Sequence, residues 1–362
     1  MVVLVKFSLL LIKSTLAIVS EQSSIHIPYP WQQQAWQRIQ QQIEQNKMPH
    51  ALLLSGQQGI GKWHFAQSLG NYLLCSSPRA DLACGQCRNC QLTLANSHPD
   101  KKFLIPEEGA KTIKIDQVRE LASFVSKTSQ QGGRKVILLG PVEQLNTNSA
   151  NALLKSLEEP AGDTVLILYT HVLSAVMATI RSRCQLVPML TPLRPQSREW
   201  LANLQIEDGD ALLELAGGAP LIARDMVEGD YLEHLQLFVN TLDTLTKSSV
   251  SSQQVPDIAI ASNCLSLSIQ HVTEWWLQII HRILSESIAK KVTAPPLGND
   301  NKITDCLDRV FNHGQRLNKQ WLFKFNDKLL LLRKQQLQGA NPNMQLLMEE
   351  LLLDWQAMVQ RS

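Results

Sequence analysis

Ala51-Leu52-Leu53-Leu54-Ser55-Gly56-Gln57-Gln58-Gly59-Ile60-Gly61-Lys62-Trp63 is the stretch on which the fold turns. It opens on an unbroken apolar run, as in a parallel strand buried on both faces. Gly56, Gly59, Gly61 and Lys62 then fit the phosphate-loop spacing G-x-x-x-x-G-K, between that strand and a helix expected over residues 63–74. In this setting glycines let backbone N–H groups turn onto phosphate oxygens, and the helix N-terminus adds partial positive charge. Lys62 would reach the terminal phosphates.

One part of the loop is missing. A working phosphate loop follows its lysine with Ser or Thr, whose hydroxyl holds Mg2+. Trp63 stands there, and an indole is only a donor; His64 is not placed to substitute. The other half of an ATPase site is an Asp-Glu pair at the end of a second apolar strand. The best such strand, residues 135–139 (KVILL), runs into Gly140-Pro141-Val142-Glu143, so neither expected position carries a carboxylate. Glu143 comes late, on the next element. These two independent losses argue against hydrolysis. Binding of ATP with Mg2+ at Lys62 stays open, because a glycine turn that only joins strand to helix has the same spacing.

Outward from the loop, residues 31–45 form a Gln-rich helical pattern and residues 164–169 a third buried strand. Strands separated by helices predict an α/β layer with a parallel sheet over residues 25–190. Beyond Pro188 and Pro192 the strand signal fades. Short helices over 198–203, 211–215 and 223–229 outline a small helical domain at 191–232. From 233 to 362 the pattern is helical throughout, with candidates at 233–247, 269–290, 302–312, 317–338 and 343–359 and a break at 295–298 (PPLG). Their apolar stripes predict a bundle.

Four of the seven cysteines, Cys75, Cys84, Cys87 and Cys90, fall within sixteen residues. Four thiolates at this spacing suit a tetrahedral, structural Zn2+ in a reducing compartment, with Gly85 helping the chain wrap the ion. An iron–sulfur cluster and unligated thiols are the alternatives.

The chain has 362 residues, room for two or three domains, and its 44% apolar and 18% charged residues are those of an ordinary globular protein. A net charge of +2 gives no licence to name a nucleic-acid binder. Residues 1–24 are apolar but broken by Lys6 and Lys13, and no run reaches the roughly 18 residues of a membrane span. They read as an extension or a mis-called start; a signal peptide lacks its A-x-A cleavage site.

A four-cysteine insertion directly after a phosphate-loop helix resembles the bacterial clamp-loader ATPases of the AAA+ class, the gamma/tau and delta-prime subunits of the replicative polymerase III. The segments 49–56 (PHALLLSG), His98-Pro99-Asp100, 148–160 (NSANALLKSLEEP) and Ile180-Arg181-Ser182-Arg183-Cys184 carry the same resemblance. It covers residues 28–230, whereas the C-terminal third matches in being helical and of the right length. The resemblance implies a subunit of delta-prime type that hydrolyses no ATP itself. It would be a cytoplasmic hetero-oligomer partner of gamma/tau and delta subunits, acting through the complex on a sliding clamp and primed DNA, without a membrane. Residues 233–362 would be the collar-type oligomerisation domain and 191–232 the lid. Arg183 would be an arginine finger in a neighbour's ATP site, with Arg181 as the nearby alternative and a helix-capping surface arginine as the plain one. Thr170 matches the polar sensor position. Leu221 stands where active relatives place a second sensor arginine, with Arg224 nearest.

Two further features read as structure. Trp275-Trp276 point about 100° apart on a helix, which suits bundle packing better than base stacking, and Lys101, Lys102, Lys111 and Lys114 read as solvated charge, with a face for DNA as the alternative. Two other classes of function compete. A hydrolysing gamma-like subunit needs Ser or Thr at 63 and Asp-Glu at 140–141. A phosphate-loop kinase leaves the cysteine module and the helical C-terminal third without purpose.

Overall fold

The computed structural model describes residues 27–250, 267–289, 310–337 and 342–360, except positions 108, 109, 111, 132, 159, 161, 208, 229, 313 and 315. The extension expected over 1–24, the break at 295–298, most of the helix expected over 302–312, and Lys111 lie outside the described residues. The chain divides into two compact units, Met1–Gln196 and Ser197–Ser362.

The first unit is built on five parallel strands: β1 (Ala51–Ser55), β2 (Lys101–Leu104), β3 (Lys135–Leu139), β4 (Thr164–Thr170) and β5 (Gln185–Pro188), in the order β2-β3-β4-β1-β5. The three central strands are buried at every position, which is why each reads as a continuous apolar run. Side chains alternate between the two faces. Leu52, Leu54, Val136, Leu138, Val165 and Ile167 meet Trp36 and Ile39 of α1 (Gln33–Glu44) and Phe65 and Leu69 of α2 (Lys62–Leu74). On the other face Leu53, Ile137, Leu139, Leu166 and Leu168 meet residues of two helices that follow α3 (Arg88–Leu94). These are Val118 and Leu121 of α4 (Ile115–Ser126) and Leu153 and Leu157 of α5 (Thr147–Glu158).

Two buried charges fix the approach to β3. Asp100 accepts hydrogen bonds from Ser129 Oγ at 3.0 Å and from the N–H groups of Gln130 and Gln131, both at 2.8 Å. Lys135 Nζ donates to the carbonyls of Phe124 and Val125 at 2.9 and 2.7 Å and to that of Lys127. An ammonium among the last carbonyls of α4 satisfies groups that the helix leaves open.

In the second unit α7 (Arg194–Asn203), which begins just before the division, packs Leu201 with Leu212 and Leu213 of α8 (Gly209–Leu215) and Ala223 and Met226 of α9 (Pro220–Val227). The longer helices are α10 (Tyr231–Val250), α11 (Ile269–Ala289), α12 (Lys319–Leu337) and α13 (Met344–Gln360). They share one core, in which Trp276 packs on Phe238, Phe325 and Trp355 with ring centroids 5.4, 5.1 and 4.9 Å away. Trp275 is buried beside it and donates from Nε1 to Tyr231 Oη at 2.6 Å. Among the described residues no helix is long and apolar enough to cross a membrane.

Candidate functional site

β1 ends at Ser55 opposite Thr170, the last residue of β4, so the loop leaving β1 starts beside the segment leaving β4. The carboxyl ends of parallel strands are where open α/β sheets hold ligands. Gly56 is crowded: a Cβ there would stand 2.2 Å from the Met189 carbonyl oxygen. Gly61 caps α2 with φ of 83°, in the left-handed region that suits glycine, and a Cβ would meet the Tyr29 ring at 2.6 Å.

The segment before α1 clasps the loop. Trp31 Nε1 donates to the Ile60 carbonyl at 3.0 Å, and Gln32 Nε2 lies 2.9 Å from the carbonyls of both Ile60 and Gly61. Tyr29 stacks on Trp31 at 4.8 Å and lies 4.4 Å from His64, whose Nε2 is 2.7 Å from the Ile27 carbonyl. His64 therefore faces this segment.

Lys62 turns back into its own loop. Its Nζ donates to the carbonyls of Gly56 and Gln57 at 2.6 and 2.5 Å, and the residue is 2% exposed. Burial pushes its pKa down to about 8, against the opposing pull of Glu143. Trp63 lies between Phe103 and Tyr169, each ring centroid 5.6 Å away. After β3, a 3-10 turn at Val142–Gln144 carries Glu143 back toward the end of β4. There its carboxylate accepts from Thr170 Oγ1 at 2.7 Å and from the His171 N–H at 2.8 Å. Burial and then the Lys62 charge push the His171 imidazole down to about 4, so it is neutral at pH 7. Its Nδ1 has no hydrogen-bond partner among the described residues.

Glu143 lies off the expected acidic positions 140–141, and no motif marks His171. Neither follows a spacing rule, because their meeting depends on the register of β3 against β4, where Leu139 stands opposite Leu168.

Cys75, Cys84, Cys87 and Cys90 converge, with all four sulfurs within 4.8 Å of one another. Cys75 ends α2, Cys87 is the N-cap of α3 and Cys90 sits in its first turn. The N–H groups of Cys84, Cys87 and Cys90 point at the sulfurs of Cys75, Cys84 and Cys87 at 3.3, 3.3 and 3.4 Å. The hydroxyl of Ser77 and the N–H groups of Gln86 and Cys87 pull the Cys84 thiol down to about 5, while burial pushes Cys90 up. A tetrahedral ion with metal–sulfur bonds of about 2.3 Å needs sulfurs about 3.8 Å apart. The Cys75–Cys87 and Cys84–Cys90 pairs lie at 3.9 Å, so this donor set fits a closed tetrahedral metal site.

Arg183 lies past α6 (Ala178–Arg181), on the turn that leads to β5. Its Nε donates to Glu158 Oε1 at 2.7 Å, its NH2 engages the same oxygen, and its NH1 donates to the Thr179 carbonyl at 2.9 Å. Arg181 is exposed at the end of α6. In the second unit Leu221 lies in the first turn of α9, and Arg224 pairs with Asp225 at 2.8 Å. Of the lysines beside the cysteine module, Lys101 Nζ donates to Asn71 Oδ1 at 2.7 Å and Lys114 pairs with Glu107 at 2.6 Å.

Residues 31–192 match the family described as DNA polymerase III, delta subunit, and residues 233–357 match DNA polymerase III, delta subunit, C terminal. The chain is 39% identical over 331 residues to DNA polymerase III subunit delta' of Pseudomonas aeruginosa, covering 90% of this chain and 97% of that protein. It is 36% identical over 205 residues to the Escherichia coli subunit of the same name, covering 56% of this chain and 61% of that one. A gamma subunit-related DNA polymerase III protein from Thermotoga maritima, solved by crystallography, aligns with 90% of this chain and 99% of its own at 17% identity and a TM-score of 0.41. With the identity to the Pseudomonas protein running through nearly all of both sequences, the chain belongs to the family of DNA polymerase III delta' subunits.

Proposed function

We propose that this chain is a clamp-loader subunit that hydrolyses no ATP of its own. It assembles with gamma/tau and delta subunits of a bacterial polymerase III, lends Arg183 to a neighbour's ATP site, and helps place a sliding clamp on primed DNA. The observation that carries this reading is Trp63. It stands where a phosphate loop needs a metal-holding hydroxyl, and it is packed against Phe103 and Tyr169. Phosphoryl transfer relies on that metal for charge neutralisation. The local charges support the same reading, since Lys62 is spent on loop carbonyls and Glu143 on Thr170 and His171. Arg183, in contrast, keeps 34% of its side chain exposed. A guanidinium supplied from outside can neutralise charge building on a γ-phosphate bound by another chain.

The four cysteines would hold a structural Zn2+; with all four positions filled by thiolate, the ion has no open site for catalysis. In this reading residues 25–190 are the AAA+ domain, 191–232 the lid, and 233–362 the collar through which the cytoplasmic hetero-oligomer forms.

The test is steady-state ATP hydrolysis by the purified chain, alone and mixed with gamma and delta subunits. No turnover is expected from the chain alone, and loss of activity in the mixture when Arg183→Ala is used. Motor-like turnover by the isolated chain, or an unchanged mixed rate with Arg183→Ala, would overturn the reading.

A further inference from the structure

Arg183 is held from two directions. Glu158, the last residue of α5, takes Nε–H at 2.7 Å and pairs with NH2. The Thr179 carbonyl, from the short helix just before it, takes NH1 at 2.9 Å. The backbone is also tied, since the Arg183 N–H donates to the Ile180 carbonyl at 3.1 Å. A guanidinium carries five N–H donors. Nε and NH1 each spend one in a hydrogen bond and NH2 makes an ion contact with the same carboxylate oxygen, which leaves at least one N–H on NH1 and one on NH2 for an outside acceptor. The side chains of Arg183 and Glu158 keep 34% and 48% of their surface exposed, so that acceptor can approach.

We infer that Glu158 is a positioning residue for Arg183, which rests on the reading of Arg183 as a finger. An arginine has several rotors, and their freedom must be lost before its donors meet a phosphate. Glu158 and the Thr179 carbonyl remove that freedom before the neighbouring subunit docks. The carboxylate holds the guanidinium along its Nε–NH2 edge while the two remaining N–H groups stay unspent. Glu158 touches no nucleotide itself. It acts on the rate only through the place in which it keeps Arg183.

The test is a double-mutant cycle on ATP hydrolysis by the full complex with gamma and delta subunits, with assembly checked by size exclusion for every variant. Arg183→Ala should remove most of the activity. Glu158→Ala should lower kcat about tenfold with KM little changed, since the finger works in the transition state. Glu158→Gln, which keeps an oxygen for Nε–H, should recover part of the loss. In the Arg183→Ala background Glu158→Ala should have no further effect. If Glu158→Ala leaves kcat unchanged or raises it while Arg183→Ala lowers it, the positioning role is wrong and the finger reading stands. If Glu158→Ala slows both backgrounds alike, Glu158 only supports the fold. If Arg183→Ala changes nothing, the finger reading falls and the positioning role falls with it.

Discussion

Thr170 gives its hydroxyl hydrogen to Glu143 across 2.7 Å, and the same carboxylate takes the His171 N–H at 2.8 Å. One anion thereby ties the end of β4 to the turn that follows β3. Hydrogen bonds to a charged group contribute about 1.5–3 kcal/mol, and a buried donor stripped of its acceptor costs more than one that was never paired. Thr170 is fully buried. Glu143→Ala should therefore destabilise the first unit by about 2–3 kcal/mol, and Glu143→Gln by less, because the amide oxygen still accepts. Urea unfolding followed by circular dichroism checks both.

His171 sets a pH dependence. Its imidazole titrates at about 4 in the folded chain, against an ordinary value of 6.5. Between those values the unfolded chain holds a proton that the folded chain does not, so stability should fall as pH drops from 6.5 towards 4. The loss should be on the order of 1 kcal/mol, discounted for the ring's remaining solvent contact. Lys62 is one cause of the depression, so Lys62→Met should carry the His171 titration upward, read from imidazole carbon shifts by NMR.

The cysteine cluster should carry about one zinc per chain, measured by atomic emission. Replacing Cys84 and Cys87 together by serine should abolish it. The N–H groups that now point at sulfur would then face hydroxyls, which accept a hydrogen bond but do not replace a thiolate as metal ligand. Limited proteolysis should cut within residues 76–89 in that variant, while the sheet, with its own core, stays protected.

In the bundle, Trp276→Ala removes a fully buried ring from contact with Phe238, Phe325 and Trp355. Truncations of this kind cost about 3–5 kcal/mol. Leu331, 57% exposed on α12, should tolerate alanine within about 0.5 kcal/mol. Thermal unfolding of the two variants gives the contrast.

The central strands were legible in the sequence because both of their faces are covered, which turns alternation into an unbroken apolar run. The edges were not. β2 reads Lys101-Lys102-Phe103-Leu104, and the Lys101 ammonium is taken up by Asn71 and the face of the Phe103 ring. β5 pairs on one side alone and stops at Pro188. α4 was within reach, since Val118, Leu121 and Val125 recur at helical spacing, yet polar residues between them dilute the pattern. The loop glycines and the four cysteines are local in sequence, so spacing found them. Glu143 and His171 are 28 residues apart, and only strand register joins them.

The ring at position 63 makes the change in this loop hard to undo. Phe103 and Tyr169 now rest against an indole. A serine placed there would bring back the hydroxyl but remove a half-buried indole, and with it the apolar contact that Phe103 and Tyr169 now share. Reversal at position 63 alone would therefore give up packing at the margin of the sheet's core, so a structural cost stands against regaining the chemistry of the loop.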